Sequence, residues 1–305
     1  MLRYLTTRLA YTLPVIWLVV SVVFLLIHLV PGDPIQQMLG EGAAGADVAA
    51  VRHQYGLDVS LARQYGNYWL GVLHGHLGES IRFRQDAAGL IAARYPFTVQ
   101  LTCAALLVAL ALAVPAGVYS ATHRNRWSDR ALGLVSLLGL SFPNFALGPV
   151  LVLVFAIKLG LLPVSGAGGL AHLALPAITM GGAMAAILTR MVRTSMLEEL
   201  SQDYVRTARA KGLSETAVVC KHALRNALIP VLTVVGLQFG ALLAGAIVTE
   251  TIFSWPGIGR LTIQAINNRD YPLVQGCVLA IGLTYVAVNF VTDLLYSAAN
   301  PRIRE

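Results

Sequence analysis

The chain has 305 residues, of which 56% are hydrophobic and only 12% carry a formal charge. Soluble domains contain roughly 25% charged residues, so this composition excludes an ordinary soluble protein and indicates an integral membrane protein. The net charge of +7 does not by itself indicate a nucleic-acid partner. In a membrane protein, lysine and arginine collect in the cytoplasmic loops, and we expect membrane lipid, not nucleic acid, around this chain.

A helix needs about 20 apolar residues to cross about 30 Å of hydrocarbon, and the sequence predicts six such spans. They cover residues 9–30, 97–121, 131–157, 173–189, 227–249 and 271–292. None of them contains Asp, Glu, Lys or Arg, each of which costs about 2.5–3.5 kcal/mol at the centre of a spanning helix. The first run is longer than the apolar region of a signal peptide, about 7–15 residues, so we expect a retained span. The predicted fold class is all-α integral membrane protein.

The distribution of basic residues predicts cytoplasmic amino and carboxyl termini. With this orientation, fourteen of the 22 Lys and Arg residues lie inside, as the positive-inside rule requires. Arg260 and Arg269, in a short outside loop, oppose it. Three parts are predicted: a first span (1–30), an external loop subdomain (31–96) and a five-span core (97–305) with a cytoplasmic loop at 190–226.

The external loop opens with Pro31-Gly-Asp-Pro34, a turn sequence that ends the first helix. Amphipathic segments are predicted at 47–55 and 62–73. The loop forms either a small subdomain with its own role or a surface cap without one.

Residues 203–230 form a long polar interruption in the second half of the chain, with five basic side chains. Residues 203–211 predict a short amphipathic helix, with Tyr204, Ala208 and Ala210 away from most of the charge. Gly212 is expected to end it, since glycine enters the left-handed cap conformation freely. Ser214 is a good N-cap for a second short helix. Two short helices joined at a glycine predict a docking element; the alternative is positive-inside charge without a partner.

Residues 250–260, in the last predicted outside loop, combine glycines, a proline and large aromatic side chains. Irregular backbone near membrane depth is tolerated only where protein or a wet cavity covers it. One interpretation is an external gate formed by Phe253, Trp255, Pro256, Gly257 and Gly259. The other is an interfacial aromatic anchor, with Trp255 at the level of the lipid headgroups.

The sequence contains no recognisable catalytic, cofactor-binding or metal site. Its three lysines are Lys158, Lys211 and Lys221; none follows a glycine, which excludes a Walker A loop. The closest histidines, His74 and His76, lack cysteine or carboxylate company and are interpreted as loop surface. An ion-coupled carrier is expected to keep a buried acid for its ion, and no predicted span contains one. Energy is therefore expected to come from outside this chain.

Several segments together resemble one family, the permease subunits of dipeptide/oligopeptide/nickel ABC importers. They are Pro31-Gly-Asp-Pro34, Asp203-Tyr-Val-Arg-Thr-Ala-Arg-Ala-Lys-Gly212, His222-Ala-Leu-Arg-Asn226 with Pro230, Thr249-Glu-Thr-Ile-Phe-Ser-Trp-Pro-Gly-Ile-Gly-Arg260, Arg269-Asp-Tyr-Pro272 and Asn300-Pro-Arg-Ile-Arg304. The resemblance covers essentially the whole chain, and its length and details are most similar to dipeptide or glutathione importers. The central glycine of the general superfamily pattern matches Gly212. Arg206-Thr207-Ala208 stand where that pattern has Glu-Ala-Ala, so only the last alanine matches. In its later Ile-x-Leu-Pro segment, Leu224 fits the leucine, and His222 and Arg225 replace the isoleucine and the proline.

The resemblance implies a type I ABC importer permease fold in the bacterial inner membrane, without ATPase activity of its own. It implies a homologous second permease, two ATPase subunits that bind ATP and Mg, and an external substrate-binding protein. The residues implied to seat on an ATPase are Asp203, Tyr204, Arg206, Thr207, Ala208, Arg209, Ala210, Lys211, Gly212, Leu213 and Ser214. The implied cargo is a dipeptide, oligopeptide or glutathione. The alternatives are a nickel chelate or, from other classes, a stand-alone secondary carrier or channel, or a membrane-anchored scaffold or enzyme. The sequence identifies no residues that line the substrate path.

Overall fold

The computed structural model describes residues 2–29, 52, 53, 56 and 58–299, and nearly all of them lie in helices. The helices are α1 Leu2–Leu29, α2 Leu61–Leu73, α3 Ala87–Thr122, α4 Trp127–Ser141, α5 Asn144–Leu151, α6 Leu170–Leu200, α7 Asp203–Ala210, α8 Glu215–Ala217, α9 Leu224–Ile252, α10 Ile258–Asn267 and α11 Tyr271–Ala299. Two π-helical segments, Val152–Lys158 and Val218–Ala223, continue α5 and α8. In the described part of the chain the sole β-type pairing is an isolated bridge between Glu79 and Asp86. The predicted all-α class is confirmed.

Some sequence-based predictions lie outside the described residues. These are the turn at 31–34, the segment 47–55 except for residues 52 and 53, and the motif at 300–304. The second amphipathic segment, predicted at 62–73, is α2.

Five helical stretches are long and apolar enough to cross a membrane, and a sixth candidate is a bent pair. The pair joins α4 to the helix beginning in α5, with an angle of 108° between them. The third predicted span, residues 131–157, therefore corresponds to a strongly bent pair and not to one continuous helix. The break falls at Phe142, whose ψ of 122° is extended, because the residue before a proline, here Pro143, is disfavoured in the helical conformation.

Two boundaries near the polar loop differ from the sequence-based prediction. The helix α6 has 31 residues, about 47 Å at 1.5 Å per residue, so residues 190–200 of the predicted loop are helical. The second short helix is not a separate element. From Ser214 onward, α8, the π-helical segment and α9 follow one another without a break, so only α7 stands apart.

The described parts of Met1–Thr98 and Pro256–Ala287 form one compact unit. Its first core joins α1 to α11, where Val20 and Val23 pack with Leu279, and α2 covers them with Tyr68 and Trp69. Its second core joins the start of α3 to α10 and α11. That core contains Ala87, Ile91, Ile258, Leu261, Ala265, Leu273 and Cys277. The helices α1, α3 and α11 are long and apolar enough to cross a membrane, where helices associate through close packing and not through the removal of apolar surface from water.

The described parts of Val99–Trp255 and Val288–Glu305 form a second unit, in which α3 and α4 pack closely on α6. A Cβ atom added at Gly117 of α3 would lie 2.6 Å from the Cβ of Val192 on α6, closer than real side chains approach. On α4, a Cβ atom at Gly139 would lie 3.1 Å from the Cβ of Ala186. Small residues let helices approach this closely, so α6 is held tightly by both neighbours.

Candidate coupling site

A glycine corner follows α7, as the sequence predicts. Gly212 has a φ of +77°, in the left-handed region that a Cβ atom makes costly. Its N–H donates to the carbonyl of Arg209 at 2.9 Å, which closes the end of the helix. Ser214 then caps α8, since its hydroxyl oxygen accepts a 3.4 Å hydrogen bond from the N–H of Ala217. The corner therefore has a defined geometry.

An ion pair spans the corner. The guanidinium of Arg209 donates from Nε to Oε2 of Glu215 at 3.1 Å and from Nη2 to Oε1 at 2.7 Å. The hydrogen bond to this carboxylate raises the pKa of Arg209. Both side chains are about half exposed, where such pairs contribute roughly 0–1 kcal/mol. The pair therefore adds little to the free energy of unfolding, and its main effect is to favour one orientation of the corner.

The helix α7 has one buried face and one exposed face. Val205 is fully buried and Ala208 is 7% exposed. Ala210 is exposed, so the predicted grouping of Ala208 and Ala210 on one side of the helix is wrong. The exposed predicted residues are Asp203, Tyr204, Arg206, Thr207, Arg209, Ala210, Lys211, Gly212, Leu213 and Ser214. Every predicted coupling residue except Ala208 is accessible to a partner.

Tyr204 links α7 to both neighbouring long helices. Its hydroxyl donates to Oε2 of Glu199, near the end of α6, and accepts a 3.1 Å hydrogen bond from Nδ2 of Asn226, near the start of α9. Partial burial, followed by the hydrogen bond to Glu199, raises the pKa of Tyr204. The corner is thus tied to α6 and α9 by side chains as well as by the backbone.

The aromatic residues proposed as a gate are buried. Phe253 is 1% exposed and Trp255 is 2% exposed, which does not fit an anchor with Trp255 among lipid headgroups. The ring of Phe253 lies against Gly148 of α5, where an added Cβ atom would be 3.2 Å from the ring. The backbone carbonyl of Phe253 accepts a 2.9 Å hydrogen bond from the N–H of Gly166. These contacts join the end of α9 to the segment that follows the bent pair.

The remaining gate candidates belong to the other compact unit. Gly257 precedes α10 with a φ of −93°, which any residue can adopt. Gly259 is buried in the first turn of α10. The N–H of Ile258 donates to the hydroxyl of Thr98 at 2.8 Å, and this buried bond fixes the start of the helix. Pro256 is half-buried. The sequence did not predict α10, although its apolar residues recur at helical spacing.

Two residues of the coupling site were not predicted, Glu199 and Asn226. Glu199 was assigned to a loop, and Asn226 to a motif without a stated role. A tyrosine near the start of a polar helix is no local signal for hydrogen-bond partners on two other helices.

The chain matches two family descriptions that together cover all of it except residues 103–112. Residues 113–305 match the binding-protein-dependent transport system inner membrane component. Residues 1–102 match the amino-terminal part of such membrane components.

Curated relatives include the glutathione transport system permease protein GsiC of Escherichia coli strain K12, which is 45% identical over 304 residues. That match covers 100% of this chain and 99% of the relative. The same protein of Salmonella choleraesuis strain SC-B67 is also 45% identical with the same coverage. The similarity therefore extends over the full length of both chains.

Among solved structures, the fold is similar to a chain of the MetNI methionine ABC transporter in an inward-facing conformation. The TM-score is 0.59 at 19% identity, and the match covers 69% of this chain and 96% of the other. A second crystal form of that transporter gives a TM-score of 0.57 at 17% identity. At these identities the likeness concerns the fold alone.

Proposed function

This chain belongs to the family of binding-protein-dependent transport system inner membrane components, and we propose that it carries glutathione or another short peptide across the bacterial inner membrane. The observation that carries the substrate class is the similarity to glutathione permeases along the whole chain. The importer is driven by ATP bound on partner chains. The permease itself supplies the path and the mechanical link.

The partners follow from the family and from the exposed corner. Two ATPase subunits, a homologous second permease and an external binding protein complete the importer. The surface around α7 offers an ATPase a defined shape, with Gly212 in its turn conformation and Arg206 82% exposed. ATP-driven closure of the ATPases would move this corner as a rigid piece. The hydrogen bonds of Arg209 and Tyr204 would hold the corner in this shape while the ATPases push on it.

The orientation of the chain belongs to the same proposal. Both termini and the corner lie on the cytoplasmic side, supported by the excess of basic residues in the corresponding loops. Phe253 and Trp255 then lie near the external mouth of the path. Their burial supports a packed constriction that opens when the spans rearrange.

The decisive experiment is reconstitution of the complex purified through this chain, together with its binding protein, in proteoliposomes. Uptake of radiolabelled glutathione, a dipeptide and a nickel chelate is measured with ATP and with a non-hydrolysable analogue. ATP-dependent uptake of glutathione or dipeptide supports the proposal. Uptake of the nickel chelate alone would contradict the peptide substrate and indicate a nickel importer of the same family. Transport by this chain without ATPase subunits would contradict the importer mechanism.

A further inference from the structure

A buried carboxylate joins three helical elements near the coupling site. Asp129, in the first turn of α4, is 6% exposed. The guanidinium of Arg193, on α6, donates from Nε to its Oδ1 at 2.7 Å and from Nη2 to its Oδ2 at 2.9 Å. Paired N–H donors on two carboxylate oxygens fix both distance and orientation. The start of α4 is thereby held against α6.

Two further groups donate hydrogen bonds to the carboxylate of Asp129. The hydroxyl of Ser120, in the last turn of α3, donates to Oδ1 of Asp129. The N–H of Asn125, in the turn between α3 and α4, donates to Oδ2 at 2.9 Å. Asn125 adopts a φ of +65°, which asparagine tolerates better than most residues. Asp129 thus accepts four hydrogen bonds, two from Arg193 and one each from Ser120 and Asn125. We call these four residues the Asp129 joint.

Arg193, one member of the Asp129 joint, lies on α6, the helix that leads to the glycine corner. Arg193 precedes Leu200, the last residue of α6, by seven positions, or about 10 Å along the helix axis. The helix is unbroken between them. Glu199, which accepts the hydrogen bond from Tyr204, lies in the same stretch. A displacement of α7 therefore reaches Arg193 through continuous helix and direct hydrogen bonds.

The three helices at the joint are attached in different ways. α3 contacts α6 directly beside the joint, where an added Cβ atom at Gly117 would lie 2.9 Å from the carbonyl oxygen of Thr189. α4 also packs on α6, with Gly139 in contact near its carboxyl-terminal end, and the ion pair of Asp129 with Arg193 is its charged attachment at the first turn. Beyond α4 lies the 108° bend.

We propose that the Asp129 joint transmits the movement of the coupling corner to the bent span formed by α4 and α5. Asp129 and Arg193 are positioning residues that act through the helices they connect. The inference rests on the proposed ATP-driven import and adds to it the place where force passes from α6 to α4. Without the joint, α6 still moves with the corner, while the first turn of α4 lags behind it and more ATP is hydrolysed for each molecule transported.

The test measures ATP hydrolysed per glutathione molecule transported by the whole complex in proteoliposomes. Asp129→Asn removes the charge and keeps the shape, and Arg193→Lys keeps the charge but loses the paired donors. We expect the ratio to rise at least fivefold in Asp129→Asn and less in Arg193→Lys, with complex abundance retained in Arg193→Lys. The exchange Asp129→Arg with Arg193→Asp is expected to lower the ratio relative to either exchange alone. Glu79→Gln, which neutralises an exposed carboxylate of the other unit, serves as control.

A purely structural role predicts a different result. Abundance and uptake would then fall together, and the ratio in the surviving complexes would equal that of the unmodified complex, which would overturn the inference. An unchanged ratio in both Asp129→Asn and Arg193→Lys would also overturn it. If the unmodified complex showed no ATP-dependent uptake, the failure would lie in the proposed function and would remove the premise of the joint as well.

Discussion

Nδ2 of Asn226 donates a 3.1 Å hydrogen bond to the hydroxyl of Tyr204, 22 residues earlier in the chain. The same hydroxyl donates to Glu199. One side chain of α7 thus bonds to the helices that enter and leave the corner. This relationship makes the corner a braced element instead of a loop between two spans.

Removing the hydroxyl is expected to loosen the corner. Tyr204→Phe loses two hydrogen bonds at a partly exposed site, where one bond contributes about 0.5–1.5 kcal/mol, or roughly 2–10-fold in an equilibrium. We expect uptake to fall several-fold with membrane abundance unchanged, measured in the reconstituted complex. Tyr285→Phe, at an exposed tyrosine of α11, is the matched control. Uptake equal to that of the unmodified complex in Tyr204→Phe would contradict the bracing role.

Substitutions of Gly212 are expected to follow the cost of positive φ. Alanine in the left-handed conformation costs about 1–2 kcal/mol, and asparagine costs less. Proline cannot reach +77°, and it also lacks the N–H that bonds to Arg209. We expect uptake to decrease in the order Gly, Asn, Ala, Pro, with transport lost and insertion retained in Gly212→Pro.

Gly66→Ala provides the control for the Gly212 series. Gly66 lies on exposed α2, and an added Cβ atom would meet nothing within 4 Å, so alanine should be neutral or slightly stabilising. Normal uptake by Gly212→Pro would disprove the need for the corner.

Charges at two alanines of the coupling helix should have opposite consequences. Ala208→Asp places a carboxylate on the buried face of α7, where an unpaired charge is destabilising, and we expect less protein in the membrane. Ala210→Asp lies on the exposed face and should preserve abundance. It should instead reduce the amount of ATPase that copurifies with the chain. Equal abundance and equal copurification for both variants would contradict the assigned faces.

The start of α11 is expected to depend on a buried hydrogen bond between Ser80 and Asp270. Oδ2 of Asp270 accepts hydrogen bonds from the hydroxyl of Ser80 at 2.5 Å and from the backbone N–H of Arg82 at 3.2 Å. Asp270 and Ser80 are each about 1% exposed. Ser80→Ala leaves a buried carboxylate without one donor, a cost of about 1–3 kcal/mol. We expect a lower melting temperature.

Trypsin provides a second measurement for Ser80→Ala. The exposed Arg82 and Arg84 should be cleaved faster in this variant, because the turn that carries them is less firmly held. Ser60→Ala, at an exposed N-cap without a side-chain capping bond, is the control. Equal cleavage rates in Ser80→Ala and the unmodified chain would contradict the structural role of the bond.

Much of the membrane arrangement was predictable from local sequence. Apolar length alone identified five spanning helices and the region of the bent pair, because each spanning helix satisfies its backbone hydrogen bonds internally and must present apolar side chains to lipid. Gly212 and Ser214 identified the corner, because a positive φ and a cap are properties of one or two neighbouring residues. Pro143 lies within the third predicted span, but a proline does not determine by how much the chain bends.

The sequence by itself determined the fold class, the spans and the position of the corner. Only the tertiary structure decided which side chains brace it and where it connects to the other helices. Tyr204 meets Asn226 across 22 residues and Arg193 meets Asp129 across 64. The physical reason is that a hydrogen bond or ion pair depends on the approach of whole helices. That approach is set by packing at small residues such as Gly117, which carries no local signal of the partner it will meet.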